Sequence, residues 1–374
     1  MKILHIINNL GSGGAEKLLS DMLPIMINKA DIKIDVLILT DKDNVFNKNL
    51  EENNINIIIV SLKNIYNPLN IYYIRKYIKE GKYDIVHAHI FPTIYWTSIA
   101  SKIILKNKPK FIITEHSTNN KRRNKKMFYY IEKFIYKEYD KIISVSDMTQ
   151  KNLLNWIKPS KPNKNKFIVI ENGIDLEKYE NAIPYKKNEL NEEFNNDTKL
   201  ITMVGRFADS KDQNTIIRAM SNLNENINLL LVGDGKLKEK SIELTKSIGL
   251  ENRVHFLGFR SDVDRIIKSS DIVILSSNWE GFGLSAVEGM ACENPVIATN
   301  VCGLKEVVEG AGILFERGND EQLSEIISKL ITDKDYYNLV SKSCKNRSED
   351  FNITKTISRY INIYVEVSRG NIYE

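Results

Sequence analysis

Cysteine is scarce in this chain of 374 residues: Cys292, Cys302 and Cys344 are the whole complement, and no CxxC pair occurs. That excludes a disulfide scaffold and gives no zinc-site spacing. Long apolar runs are missing too, since none approaches the roughly 18 residues that a membrane-spanning helix needs. The opening MKILHIINN has one lysine and a short apolar stretch before Asn8 and Asn9. It is too brief for a secretory signal and reads as a first buried strand. The triplets NRS (346–348) and NIT (352–354) are then chance matches to a glycosylation pattern, and a reducing, cytoplasmic setting is expected. There is no short-period repeat, no spaced GxGxxG, no helix-turn-helix signal and no clustered acidic motif such as DxD at a strand end in a position to carry a divalent ion. The last absence predicts chemistry without a divalent ion.

Hydrophobic residues make up 42% and charged residues 27%, an ordinary soluble balance. The net charge of +5 conceals an asymmetry. Residues 1–175 hold 28 Lys and Arg against 17 Asp and Glu, a balance of +11, whereas the remainder holds 25 against 31, a balance of −6. A basic first half points to an anionic partner for that half alone, although a lysine-rich composition could supply the charge without purpose.

Short Ile/Val/Leu runs recur, each followed by a segment with helical spacing. They are Ile3–Ile7, Val36–Leu39, Ile57–Val60, Ile85–His87, Phe111–Ile113, Ile142–Val145 and Phe167–Ile170. A second series follows: Leu200–Val204, Leu229–Val232, Val254–Leu257, Ile272–Leu275, Val296–Ala298 and Ile313–Phe315. Such runs suit strands buried on both faces, and their alternation with helices argues for βαβ units. The polar stretch Asn181–Lys199 between the series reads as a surface connection. Two doubly wound α/β domains are therefore expected, one over 1–180 and one over 181–354. Ligands are expected in a cleft between them, at the carboxyl ends of strands.

Three segments carry candidate chemistry. Gly11–Lys17 (GSGGAEK), after the first strand, is either a plain tight turn or a loop whose amides approach an anion at a helix start. Arg206, leaving a strand, and Lys211, near the next helix, form a pair of cations able to clamp a diphosphate. The block Asn278–Ala291 places Glu280 on a glycine-bearing loop and Glu288 about one turn into a helix starting near Leu284. Amides of Phe282 to Ser285 are then left as donors aimed at phosphate, with a carboxylate on either side for sugar diols.

On these residues the chain resembles the retaining, nucleotide-sugar-dependent glycosyltransferases of family 4, which have the two-domain GT-B fold. The matching pieces are GSGGAEKLL, DIVHAH (84–89), TEHS (114–117), VSD (145–147), ENGID (171–175), VGRFADSKD (204–212), LVGDG (231–235), VHFLGF (254–259) and EGFGLSAVEGMACENPVIATNVCG (280–303). Gly289-Met290 stands where the family usually has Ala-Met. The resemblance implies that Arg206 and Lys211 bind the donor diphosphate, Glu288 the ribose, and Glu280 the transferred sugar. The amides of Phe282, Gly283 and Leu284 would hold that sugar or the phosphates. Gly13 and Gly14 would set a first-domain loop against phosphate, Phe259 and Arg260 would lie near the base, and His116 near the reacting centre. It further implies a first domain (1–180) that binds acceptor, with a C-terminal helix near 355–374 packing back on it, and a second domain that binds the sugar donor. No cofactor or metal is implied. The expected reaction moves sugar from a UDP-sugar to a hydroxyl acceptor, such as a lipid-linked intermediate of bacterial surface polysaccharide synthesis. A nucleotide-sugar epimerase of the same architecture is the alternative enzyme, and a basic nucleic-acid-binding protein the alternative from another class.

Two features need separate weighing. His87 and His89 lie at i and i+2, on one face of a strand, where zinc could use both. With no third ligand evident, they read as buried or wall hydrogen-bonding groups. Lys121–Tyr139 has a helical apolar stripe of Met127, Phe128, Ile131, Phe134 and Ile135. Lys126, Lys133 and Lys137 lie on another face, behind the cluster Lys121–Arg123. Either that face is merely solvated, or Arg122, Arg123, Lys126 and Lys133 meet an anionic acceptor or the anionic inner leaflet that carries it.

Overall fold

The computed structural model describes residues 1–60, 62, 64–159 and 165–369. It divides into two compact units, Met1–Gly173 together with Ile353–Glu374, and Ile174–Asn352. Residues 370–374 of the expected C-terminal helix lie outside the described residues; the helix itself is Ile353–Arg369.

In the first unit seven strands form one parallel sheet: β1 (Lys2–Ile7), β2 (Lys33–Ile38), β3 (Asn56–Ile59), β4 (Ile85–His89), β5 (Lys110–Glu115), β6 (Lys141–Ser144) and β7 (Phe167–Val169). Their order is β3-β2-β1-β4-β5-β6-β7, so the winding reverses between β1 and β4. Alternate residues of a strand face opposite sides of a sheet, and this sheet has a core on each. Leu4, Ile6, Val86, Phe111 and Ile113 enter one. Ile3, Ile7, Ile85 and Ile112 enter the other, which the C-terminal helix covers with Ile353, Ile357, Tyr360 and Tyr364.

The second unit holds six parallel strands: β8 (Lys199–Val204), β9 (Ile227–Val232), β10 (Val254–Gly258), β11 (Ile272–Leu275), β12 (Val296–Thr299) and β13 (Ile313–Phe315). The order β10-β9-β8-β11-β12-β13 puts the reversal between β8 and β11. Asn181–Lys199 runs mostly along the surface, as its polarity suggests, but it is not a connection between the units. It lies within this unit, contains a short helix (Lys187–Leu190), and drives Phe194 into a core with Leu200, Leu230, Val232 and Ile266. One buried aromatic in a polar stretch outweighs the average composition around it.

Candidate functional site

In open α/β sheets a binding crevice forms where the strand order reverses, beyond the carboxyl ends of the strands. Each unit has chemistry at that place.

In the second unit Arg206 follows β8. It is exposed and makes no ion pair among the described residues. Lys211, on the same loop, is ion-paired with Glu280, which follows β11. Ser277 donates to the same Glu280 oxygen over 2.9 Å, a partner that its sequence context did not mark. The two loops are laced by main-chain contacts: Ser276 Oγ donates to the Asp212 carbonyl (2.7 Å) and the Asn278 amide to that of Ser210 (2.8 Å). Gly303 supports Glu280 from behind, since a Cβ there would lie 2.4 Å from the Glu280 carbonyl oxygen.

The helix Leu284–Ala291 starts from Gly283, whose φ of 92° lies in the left-handed region that glycine alone enters cheaply. No main-chain carbonyl among the described residues takes up the amides of Phe282, Gly283 and Leu284. The Phe282 ring itself is buried against Phe351, so only its backbone faces this opening. Glu288 is 1% exposed, which rules out an ordinary solvated helix position. Arg260 is held by both oxygens of Asp262, at 2.8 and 2.5 Å, and this pairing holds the Asp262 carboxyl well below the usual carboxylate range. Its charge is thus largely spent locally, while Phe259 beside it stays 40% exposed.

In the first unit Gly13 and Gly14 begin the helix Gly14–Lys29. The Glu16 carboxylate folds back over Gly13, so an anion of the chain's own already occupies that end. His116 follows β5 and lines a recess of about 310 Å³ with Phe91, Ile94, Glu115, Asn120 and Arg122. Ile90 on the same wall has a φ of 49°, an uncommon conformation for a β-branched residue.

Behind His116 stands a group that sequence reasoning missed. The third histidine beside His87 and His89 is His5, which pairs with His87 across β1 and β4. Nitrogens of the three lie within 4.8 Å of one another, close enough to hold an ion. Two of the rings are stacked, however: His87 lies on His89 at 4.3 Å between centroids and 29°, while His5 lies edge to edge with His89, nearly coplanar at 5.3 Å and 10°. Stacked rings send their in-plane lone pairs side by side rather than toward one point, which ill suits tetrahedral zinc. Hydrogen bonds take the nitrogens instead. His87 Nδ1 meets the Tyr364 hydroxyl (2.7 Å) and Nε2 that of Thr114 (2.8 Å). Burial lowers His5 to about 3 and His116 to about 4; it also takes His87 and His89 well below 6.5, helped by neighbouring histidines. The signal was available: β1 and β4 flank the reversal, and parity puts His5, His87 and His89 on one face.

The basic helix differs from expectation. Arg122 and Arg123 turn inward, to the fully buried Glu132 (3.2 and 3.3 Å) and, for Arg123, to Glu115 (3.4 Å). Arg122 also stacks over Phe91 at 3.9 Å. A buried carboxylate must find cations, and these two are its nearest. The apolar stripe is narrower than its spacing suggested. Met127 and Phe134 are 61% and 53% exposed, beside Tyr130 at 72%, and they share the surface with Lys126, Lys133 and Lys137. No helix among the described residues is long and apolar enough to cross a membrane.

Comparison with known proteins adds the following. The family model for "Glycosyl transferases group 1" matches residues 185–347, and that for "Glycosyltransferase Family 4" matches 12–178. The UDP-Gal:alpha-D-GlcNAc-diphosphoundecaprenol alpha-1,3-galactosyltransferase of Escherichia coli is 30% identical over 309 residues, 78% of each chain. An N-acetylgalactosaminyltransferase of Campylobacter jejuni, named for a diphospho-undecaprenol acceptor, is 24% identical over 367 residues, covering 95% of this chain and 96% of its own. Among solved structures, Anabaena HepE in complex with UDP and glucose superposes with a TM-score of 0.84 at 23% identity, over 98% of this chain and all of that one.

Proposed function

The chain belongs to the group 1 glycosyltransferases of family 4, and from that premise we propose that it moves a sugar from a UDP-sugar to a hydroxyl of a lipid-linked diphosphate acceptor, with retention at the anomeric carbon and no metal ion. The observation that carries the reading is the convergence after β8 and β11: a cation without an ion partner among the described residues, the Lys211–Glu280 pair, open helix amides and a buried Glu288. In this reading the diphosphate draws Lys211 from Glu280 and takes Arg206 as its second cation, which releases Glu280 for sugar hydroxyls. Glu288 takes the ribose diol. Fixed cations and helix amides stabilise the charge that grows on the leaving diphosphate, and they do so without reorganising at the moment of reaction. The leaving phosphate accepts the acceptor's proton from the same face, so no glycosidase-type carboxylate pair is needed. His116, on the recess of the first unit, meets the transferred sugar.

Support for the acceptor comes from the +11 balance of residues 1–175 and from the undecaprenyl-diphosphate substrates in the two relatives' names. The exposed face of the helix Lys126–Lys137, with its lysines and exposed Met127, Tyr130 and Phe134, suits an anionic leaflet whose interface it would enter sideways. The test combines a thermal-shift screen of nucleotides with transfer assays in EDTA, using UDP-sugars and a polyprenyl-diphosphate glycan. Stabilisation by UDP and UDP release dependent on acceptor are expected. Isomerisation of the UDP-sugar without acceptor would make the protein an epimerase instead.

A further inference from the structure

Two hydrogen bonds join three rings behind the recess: His5 Nδ1 to His89 Nε2 at 3.0 Å, and His89 Nδ1 to His116 Nε2 at 3.1 Å. His5 and His89 are 0% and 1% exposed. A neutral imidazole carries one N–H and one lone pair, so the two bonds can form together in only two ways. In one, His5 donates to His89, His89 donates to His116, and His116 keeps its proton on Nδ1. In the other, every donor is reversed and His116 presents a bare Nδ1. A doubly protonated His89 would also make both bonds, but it would bury a charge with no carboxylate in contact.

The far end of the chain decides between the two. His5 Nε2 is buried and has no hydrogen-bond partner among the described residues, and the nearby Tyr364 and Thr114 hydroxyls meet the His87 nitrogens. The first arrangement leaves there an unused lone pair; the second leaves an N–H without an acceptor, the rarer and costlier defect in folded proteins. With Nε2 of His116 tied to His89, Nδ1 is the nitrogen left to meet a ligand in the recess that His116 lines. We infer that His5 and His89 are positioning residues: they lock His116 as the Nδ1–H tautomer, so that it meets the transferred sugar as a hydrogen-bond donor and not as a base. Donation to a sugar oxygen rests on the glycosyltransferase reading above, whereas the locked tautomer does not.

The experiment is nitrogen NMR of the full chain with 15N-labelled histidine, where five histidines keep assignment simple. At pH 7 His116 should carry its proton on Nδ1; a proton on Nε2, or a doubly protonated ring, overturns the inference. His5→Phe removes the first donor while filling the space; the unused lone pair then ends on His89 Nε2, so the Nδ1–H tautomer should persist, while the unanchored His89 ring lowers kcat roughly 3- to 10-fold, the worth of one neutral hydrogen bond. His5→Asn places an amide N–H near the lost Nδ1 and should restore the rate. A wild-type kcat in His5→Phe overturns the relay, as does an Asn variant indistinguishable from Phe. Thermal melts of both variants separate these results from loss of fold. Should the wild type fail to bind or turn over any nucleotide sugar, the proposed function falls, while the wild-type tautomer still judges the relay alone.

Discussion

Glu132 is fully buried, and its oxygens are held by Arg122, Arg123 and the Tyr95 hydroxyl. Arg123→Ser leaves Glu132 with Arg122 and Tyr95 and removes one charged hydrogen-bond partner, so it should destabilise the first unit by about 1.5–3 kcal/mol, read by urea unfolding. Loss under 1 kcal/mol would mean that water reaches Glu132. A lysine run in the sequence does not distinguish a cation that faces solvent from one that faces an acid ten residues away, which is why Arg122 and Arg123 were misplaced. In the second unit the residue types were more legible, because a glycine-bearing loop between two glutamates has few structural explanations. Glu288→Ala should weaken UDP binding by about 1.5–3 kcal/mol in calorimetry, the worth of a hydrogen bond to a charged group. Arg206→Ala should lower kcat more than it raises KM, because its charge acts on the leaving diphosphate. Wild-type constants in both variants would remove them from the site.

At the scale of elements, all thirteen apolar runs became strands, because a run buried on both faces has no competing amphipathic reading. What the runs did not reveal was closeness of packing. The helix Leu284–Ala291 lies against β11, and a Cβ on Gly289 would come within 2.8 Å of the Val273 Cβ. Gly289→Ala gains about 1 kcal/mol of helix propensity but costs about 1–3 kcal/mol of overpacking. A net loss of about 1 kcal/mol is expected in chemical denaturation, and a stabilised variant would mean that helix and strand separate freely. The helix Lys126–Lys137 was legible as an element but not as a surface, since its spacing could not tell which apolar residues find a core. Changing Lys126, Lys133 and Lys137 to Ser should weaken sedimentation with anionic liposomes about 100-fold, at about 1 kcal/mol per lysine. Equal binding by the variant would leave the leaflet out of the function.

For the whole molecule, the two-sheet plan could be read from the restart of the pattern at Leu200. The passage at Gly173 was expected near residue 180 from the polar stretch, and the return at Ile353 came from the family resemblance and not from composition, because both depend on long-range packing. The buried histidines set the acid response. Their folded pKa values are depressed, so between about 6.5 and the folded values the unfolded chain binds more protons and stability rises with pH. Their contribution is complete above about pH 6.5 and is lost as pH falls toward 4 for His116 and 3 for His5. Each can add up to about 1.4 kcal/mol per pH unit to the slope. Melting temperature should fall from pH 7 to 4.5, and less steeply in His5→Phe; equal slopes would show that His5 takes up its proton without unfolding.

The helix Ile353–Arg369 sets a timetable for synthesis. It supplies Tyr360 and Tyr364 to the face of the first sheet that carries His5 and His87, yet 174–352 must be translated before it exists. At about 5–20 residues per second that interval is roughly 10–35 s. Throughout it the first unit lacks a wall and leaves His87 and Thr114 without their Tyr364 and Tyr360 partners, while the second unit can already close on itself. The part of the enzyme made first is therefore finished last, and a ribosome that stalls before residue 353 leaves a folded second unit joined to an open, aggregation-prone sheet.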